Sequence, residues 1–393
     1  MSARGRRGTV RRSACSGIVV LAALGLLALA SSGCGVSTSA GSAASLAPSA
    51  SDAAGPQQSS SAARQGATAP PADAAAAQAP PPLFNALSPW NTQAAALPTD
   101  PRSQAMLALG ASAGGAGGGR SDGGGIYINA TSWTPTIATE QNGVSTRLFC
   151  RQVLCGPDAA GLSTALIAPG VSPDPRYDGW LTVIDRAGGV AYDFWRARRQ
   201  ADGSISYQYV KRWDLNGPGF SKPSSVNAQN AVAARGSGLP LFAGVILPGE
   251  LRSATIAHAL AISIPDPAGA NYVPPASTTD GAGPQDSLPE GARIRLKAGV
   301  RLGRLPGGDS RRYAEVVLTA LKRYGAIVVD RSAVPTLYAQ KDAVAGLLVG
   351  NELQSLRLSD FEVVRLPGRL HQSVAEQGEA GGEAGTGFTG TAG

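Results

Sequence analysis

Short runs of alternating large and small residues recur along this chain, each closed off by Gly, Pro or Asp. "LTVID" from Leu181, "VAYDFW" from Val190, "SISYQYV" from Ser204, "IAHALAISI" from Ile256 and "RIRLK" from Arg293 all have this form. A period of two puts successive side chains on opposite faces of a strand, and turn residues at such spacing prevent long helices. Many short strands with frequent turns predict a mainly β fold, a β-sandwich of jelly-roll type. One segment breaks the pattern. "RRYAEVVLTALKRYG" sets Ala314, Val317, Leu321 and Tyr324 at helical spacing, ends in Lys322 and Arg323, and has Gly325 as a C′ stop. It predicts one covering α-helix near the C-terminal end, followed by the strand "AIVVD".

The start of the chain is of another kind. "MSARGRRGTVRR" carries five arginines and no acid, and the apolar "GIVVLAALGLLALA" that follows is too short to span a bilayer. Together they read as an export signal. "ALA" at Ala28–Ala30 suits an ordinary signal peptidase; "ASSGC" suits a lipoprotein signal in which Cys34 is acylated. The Ala, Ser, Gly and Pro stretch after Cys34 has the composition of a tether and favours the second ending. The expected organisation is a leader over 1–33, a tether over 34–82, a β-sandwich domain over 83–368 and a Gly-rich tail over 369–393. The location is the outer face of the cell membrane through the lipid, or the medium.

Removing the five leader arginines from the formal net charge of +7 leaves +2, so the high isoelectric point is no argument for nucleic acid. Of four cysteines, Cys150 and Cys155 remain once Cys15 falls in the leader and Cys34 in the anchor. In an exported protein a close pair predicts a local disulfide. With two histidines and no further cysteine, no metal site or cofactor is expected. The Gly-rich "GASAGGAGGGRSDGGG" lacks the strand and helix of a dinucleotide loop, and no GxSxG elbow or HExxH is present.

Three groups of residues carry candidate chemistry. His258 is in phase with Ile256, Leu260, Ile262 and Ile264, so it is either a hydrogen-bonded core imidazole or a general base at a cleft. Asp193 and Trp195 share one strand face, Tyr207 and Tyr209 are in phase on the next, and Asp214 and Asn216 lie just beyond. That set suits a sugar, with rings stacking on its apolar faces and carboxylate or amide groups holding hydroxyls, or else it is core packing and a turn. Arg293 and Arg295, with Lys297, form a basic stripe that is either solvated surface or a contact for an anionic polymer. A glycosidase needs two carboxylates at a set separation, and Asp185, Asp193, Asp214, Glu250, Asp280 and Glu290 are available.

The blocks "SPWNT", "YDGWLTVID", "SGLPLFAGVILPGEL", "IAHALAISIP", "YVPPASTTDG", "LPEGARIRLKA" and "VLTALKRYGAIVVD" follow one another in an order that resembles a little-characterised family of secreted bacterial proteins. The resemblance implies a jelly-roll-like β-sandwich, export and a role around extracellular polysaccharide. It also implies a histidine where this chain has Trp180. The combined expectation is an exported, lipid-anchored, monomeric β-sandwich protein that engages polysaccharide, with cleavage by hydrolase or lyase chemistry left open and His258, Asp193 and Asp214 as the candidate catalytic groups. Trp195, Tyr207, Tyr209, Asn216, Arg293 and Arg295 would hold the glycan. The alternative is a non-catalytic envelope protein that binds another surface component.

Overall fold

The computed structural model describes residues 81–111, 125–222, 235–303 and 310–371. Cys34, the leader and the tether up to residue 80 lie outside the described residues. Within them the protein is mainly β, with sixteen strands in four sheets and few helices. No described helix is long and apolar enough to cross a membrane.

The central sheet has six strands in the order β1 (Tyr127–Asn129), β14 (Thr336–Tyr338), β10 (Leu260–Ile264), β13 (Ala326–Arg331), β12 (Arg293–Leu296) and β15 (Phe361–Val363). β10 shows why alternation matters. Leu260, Ile262 and Ile264 enter one core, while Ala259, just ahead of the strand, and Ala261 enter another on the opposite face. The first core is closed by α1 (Ser103–Ala111), through Met106 and Leu107, and by the final helix (Ser310–Arg323), through Tyr313, Ala314, Val317 and Leu321. That final helix is the covering helix expected from its apolar spacing. It stops where Gly325, at φ +74°, donates its N–H to the Ala320 carbonyl, a backbone conformation open to glycine and strained for other residues.

On its other face the central sheet packs against a four-stranded sheet, β2 (Thr136–Thr139), β5 (Leu181–Asp185), β6 (Val190–Trp195) and β9 (Tyr209–Asp214). Ile137, Ile184, Ala191 and Trp213 meet Ala261, Ile327, Val329 and Tyr338 there. The far side of this sheet buries Leu181, Val183, Phe194 and Val210 against a third sheet, β4 (Thr164–Ile167), β3 (Val144–Cys150), β8 (Ile205–Tyr207) and β7 (Arg198–Arg199). The described residues from 81 on therefore stack three sheets, with α1 and the final helix on the outer face of the central one. Pairing is mixed: β10 runs parallel to β13, β1 to β14, β2 to β5 and β3 to β8, whereas β5, β6 and β9 are antiparallel. A small ribbon pairs β11 (Asn271–Tyr272) with β16 (Leu370–His371), so strand structure continues past residue 368. Cys150 and Cys155 form a disulfide at the end of β3.

Candidate functional site

The residues singled out from the sequence occupy separate places. His258 stands at a bend ahead of β10 and lines a cavity with Phe84, Trp90, Phe242 and Glu250; neither Asp193 nor Asp214 lines it. Its Nδ1 is 2.9 Å from the Ala259 carbonyl and its Nε2 2.8 Å from Glu250 Oε1. A carbonyl and a carboxylate only accept, so both ring nitrogens donate and the imidazole is charged. Burial opposes that charge, but the Glu250 carboxylate, by charge and hydrogen bond, outweighs it and raises the imidazole above its ordinary value. The other Glu250 oxygen accepts from Leu247 N at the start of α2 (Pro248–Arg252). The pair ties a short helix to the entry of β10 and leaves no imidazole lone pair for a substrate.

Asp193 is 2% exposed and saturated. Oδ1 accepts from Thr182 Oγ1 at 2.5 Å, and Oδ2 accepts from Trp213 Nε1 at 2.7 Å and Leu241 N at 2.8 Å. Burial nevertheless pushes its carboxyl up to about 6. Asp214 is exposed, and its Oδ1 accepts from Asn216 N in a turn. Tyr207 is packed edge-on against Phe194 in the outer core and Tyr209 is buried; Trp195 is half-buried under the Arg196 guanidinium, 4.1 Å from its ring centre. His258, Asp193 and Asp214 are thus not brought to one cleft. Arg293 and Arg295 are clamps: Arg293 donates to the carbonyls of Pro89 and Thr92, and Arg295 to those of Ala94 and Leu97, to Thr99 Oγ1 and to Glu362. They strap the "SPWNTQAAALPT" segment onto the central sheet.

Another set of groups does converge. Asp280, Glu290 and Asp330 each present a carboxylate oxygen, and the three atoms lie within 4.8 Å of one another. Asp330 is placed by an irregularity in the ladder: Ile262 pairs with Val328, but Ser263 pairs with Asp330, so β13 carries one extra residue. Residues paired across a ladder share a face, so the bulge turns Asp330 to the side of Ser263. Glu290 is wedged in by its backbone, its carbonyl accepting from Val273 N while Gly291 N donates to the Val328 carbonyl. Asp280 lies against the Gly236 backbone, where a Cβ would fall 2.1 Å from Oδ1, so any larger residue would displace the carboxylate.

Around the acids stand Arg235 and Tyr338. The Arg235 guanidinium lies 4.5 Å from the Tyr338 ring centre, and the Tyr338 hydroxyl shares a hydrogen bond with Ser263 Oγ. Arg235 directs Nε and Nη2 to the carbonyls of Pro240 and Leu241. Trp180, which stands where the resemblance implies a histidine, has its ring centre 6.5 Å from that of Tyr338. Burial, then the charges of Asp280 and Asp330, push Glu290 well above the carboxylate range, and burial with the Asp280 charge lifts Asp330 to about 8. Burial and the Asp330 charge raise Tyr338 to about 12.

Buried polar atoms are normally hydrogen-bonded, and each exception asks for a cause. Among the described residues, Trp180 Nε1, Arg235 Nη1, Ser237 Oγ, Asp280 Oδ1 and both oxygens of Glu290 are buried without a partner at hydrogen-bonding geometry, as are Thr136 Oγ1, Glu140 Oε2 and Arg369 Nε elsewhere. No family model, curated protein or solved structure matches this chain. The site therefore rests on its own geometry. Asp280 and Glu290 are among the carboxylates the sequence offers; Asp330, Arg235 and Tyr338 carry no comparable local pattern. The one signal was an acid closing the otherwise apolar strand "AIVVD".

Proposed function

We propose that this protein is an exported, lipid-anchored β-sandwich protein that engages extracellular polysaccharide at the Asp280–Glu290–Asp330 cluster. The observation that supports this reading is the mixed set of orphan atoms. Donors at Trp180 and Arg235 and acceptors at Asp280 and Glu290 stand unpartnered in one neighbourhood, and sugar hydroxyls donate and accept together. An unmet buried polar group costs about 1–3 kcal/mol, so a hydroxyl-rich ligand that reaches the cluster through its Asp280 edge recovers part of that cost. The outer edge of the cluster is open: the Asp280 side chain is 34% exposed and its ion-pair partner Arg331 55% exposed. A glycan approaches from that side.

A panel of neutral and anionic polysaccharides tests the reading, with retention measured by affinity electrophoresis, hydrolysis by new reducing ends and lyase action by unsaturated products. At least one glycan should be retained, and Asp280→Asn should weaken that retention by at least about tenfold, the scale of one lost charged hydrogen bond. A folded protein that retains no glycan sinks the proposal. Binding without turnover is the second reading, favoured because His258 and Asp193 are committed to internal hydrogen bonds. A glycan retained with no product formed would establish it. The anchor has its own test: Cys34→Ser should move the protein from the membrane fraction to the soluble one, and unchanged fractionation refutes the lipid.

A further inference from the structure

The three acids come from separate parts of the chain: Asp280 from a loop whose turn is held by Gly281 N donating to Thr279 Oγ1, Glu290 from the approach to β12, and Asp330 from the bulged part of β13. Like charges so close repel, and the fold holds them together nonetheless. Glu290 lies beneath the other two, 0% exposed, and neither of its oxygens meets a donor at hydrogen-bonding geometry among the described residues, although the Thr279 hydroxyl and the Asp280 carboxyl stand close enough to act on it. An isolated ionised carboxylate in such a place is costly, and buried carboxyl groups are as a rule neutralised, paired or bound to metal. The cations at hand do not pair with Glu290. Arg235 turns two of its donor nitrogens to backbone carbonyls, and Arg331 reaches Asp280 at 3.4 Å from the solvent side. The unpartnered, fully buried Glu290 side chain directed among the other two carboxylates is an observation separate from their clustering.

Oxygen ligands 2.3–2.6 Å from a common ion stand no more than about 5 Å apart, which the three carboxylates satisfy. The donor set is all oxygen, with no imidazole or thiolate, and so suits a hard cation rather than zinc or copper. Magnesium is usually held by one or two carboxylates with retained waters, whereas calcium accepts several carboxylates from irregular backbone in flexible geometry. We propose that Asp280, Glu290 and Asp330 form a site for a divalent cation, calcium in preference to magnesium. Glu290 is the inner ligand, and Asp280 and Asp330 are the outer ones, where water or a glycan oxygen completes the shell. The ion deepens the polysaccharide reading of the same site, but it is tested without glycan.

The full chain, stripped with chelator and dialysed, is titrated with calcium, magnesium or terbium alone. Saturable binding of one calcium per chain is expected, with terbium luminescence displaced by calcium. The melting temperature should rise by several degrees when calcium is about 100-fold above its dissociation constant. Magnesium should give the same effect only at much higher concentration. Glu290→Gln, close in shape, should weaken calcium binding by about tenfold or more, the scale reported for perturbing a metal site. If stripped wild-type protein melts alike with and without calcium and magnesium and shows no saturable terbium signal, the site does not exist. If Glu290→Gln binds calcium as wild type does, the ligand assignment is wrong. Because no sugar is present, a negative glycan screen leaves these results intact, and a negative ion titration leaves the glycan screen intact.

Discussion

Asp193 and Glu290 are both carboxylates sealed from water, 2% and 0% exposed, and the fold treats them in opposite ways. Asp193 receives donors from two strands and the segment after Pro240, from Thr182, Trp213 and Leu241, and so ties the second sheet to the residues beside the central one. Glu290 meets no donor at hydrogen-bonding geometry among the described residues, with only the Thr279 hydroxyl near, and faces two further acids. Burial alone therefore does not separate a structural acid from a site. Satisfied valences do: a buried carboxylate whose lone pairs are filled holds the fold, and one left open is held by the fold for something else.

The largest expected effect tests the satisfied member. Asp193→Ala strands three buried donors and should destabilise the protein by about 3–5 kcal/mol in denaturant unfolding, near the upper range for a single substitution. A loss under about 1 kcal/mol would mean that the network is not structural and would erase the contrast.

His258 comes next, a half-buried ring paired with the buried Glu250 and with filled valences. His258→Ala should cost about 2–3 kcal/mol, because it removes charge-assisted hydrogen bonds to Glu250 and Ala259. The effect depends on pH with a definite sign. The folded imidazole titrates above its ordinary 6.5 because Glu250 outweighs burial, so its stabilisation is complete below pH 6.5 and is lost as pH rises through the raised value. Unfolding curves of wild type and variant should draw together as pH rises through that raised value. A gap that widens with rising pH would show that the ring is neutral in the fold.

Opening the Cys150–Cys155 bond by a double serine replacement should cost about 2 kcal/mol or less, since the loop it closes is short. It serves as a control for the comparison. The bond lies at the end of β3 in the outer sheet, so stability should fall while glycan and ion binding stay as in wild type. Loss of binding in this variant would mean that binding tracks global stability and that the acid cluster has no special standing.

The smallest change in stability is expected where function is expected to depend most. In chelator, Glu290→Gln replaces a buried carboxyl, held well above the carboxylate range, by a neutral group of similar shape, and its stability should stay within about 1 kcal/mol of wild type or rise. A loss comparable to that of Asp193→Ala would place Glu290 in the same structural class and end the distinction.

The sequence was legible wherever a local period carries the information. The alternation through Leu260, Ile262 and Ile264, the stripe Ala314–Val317–Leu321 with its glycine stop, and the close cysteine pair each follow from neighbours along the chain, and each is present in the structure. The face of β6 was also read correctly, since Asp193 does point with Ala191 toward Trp213. What the side chain meets on that face was not readable. A saturated Asp193 and an orphaned Glu290 look alike in one dimension, because the donors to Asp193 come from residues 11, 20 and 48 positions away.

The arginines make the same point. Arg293 and Arg295 alternate on a strand as a solvated stripe would, and only the return of residues 89–99 across β12 turns them into clamps. By itself the sequence determined a mainly β chain with one strong covering helix, a local disulfide and a near-neutral stretch after a basic N-terminal segment, because periodicity, capping and charge are properties of contiguous residues. The tertiary structure decided the sheet order, its parallel pairs, the bulge that turns Asp330 and the meeting of Asp280, Glu290 and Asp330. Those depend on contacts between distant segments, and whether a polar group finds its partner there is settled only when the segments pack.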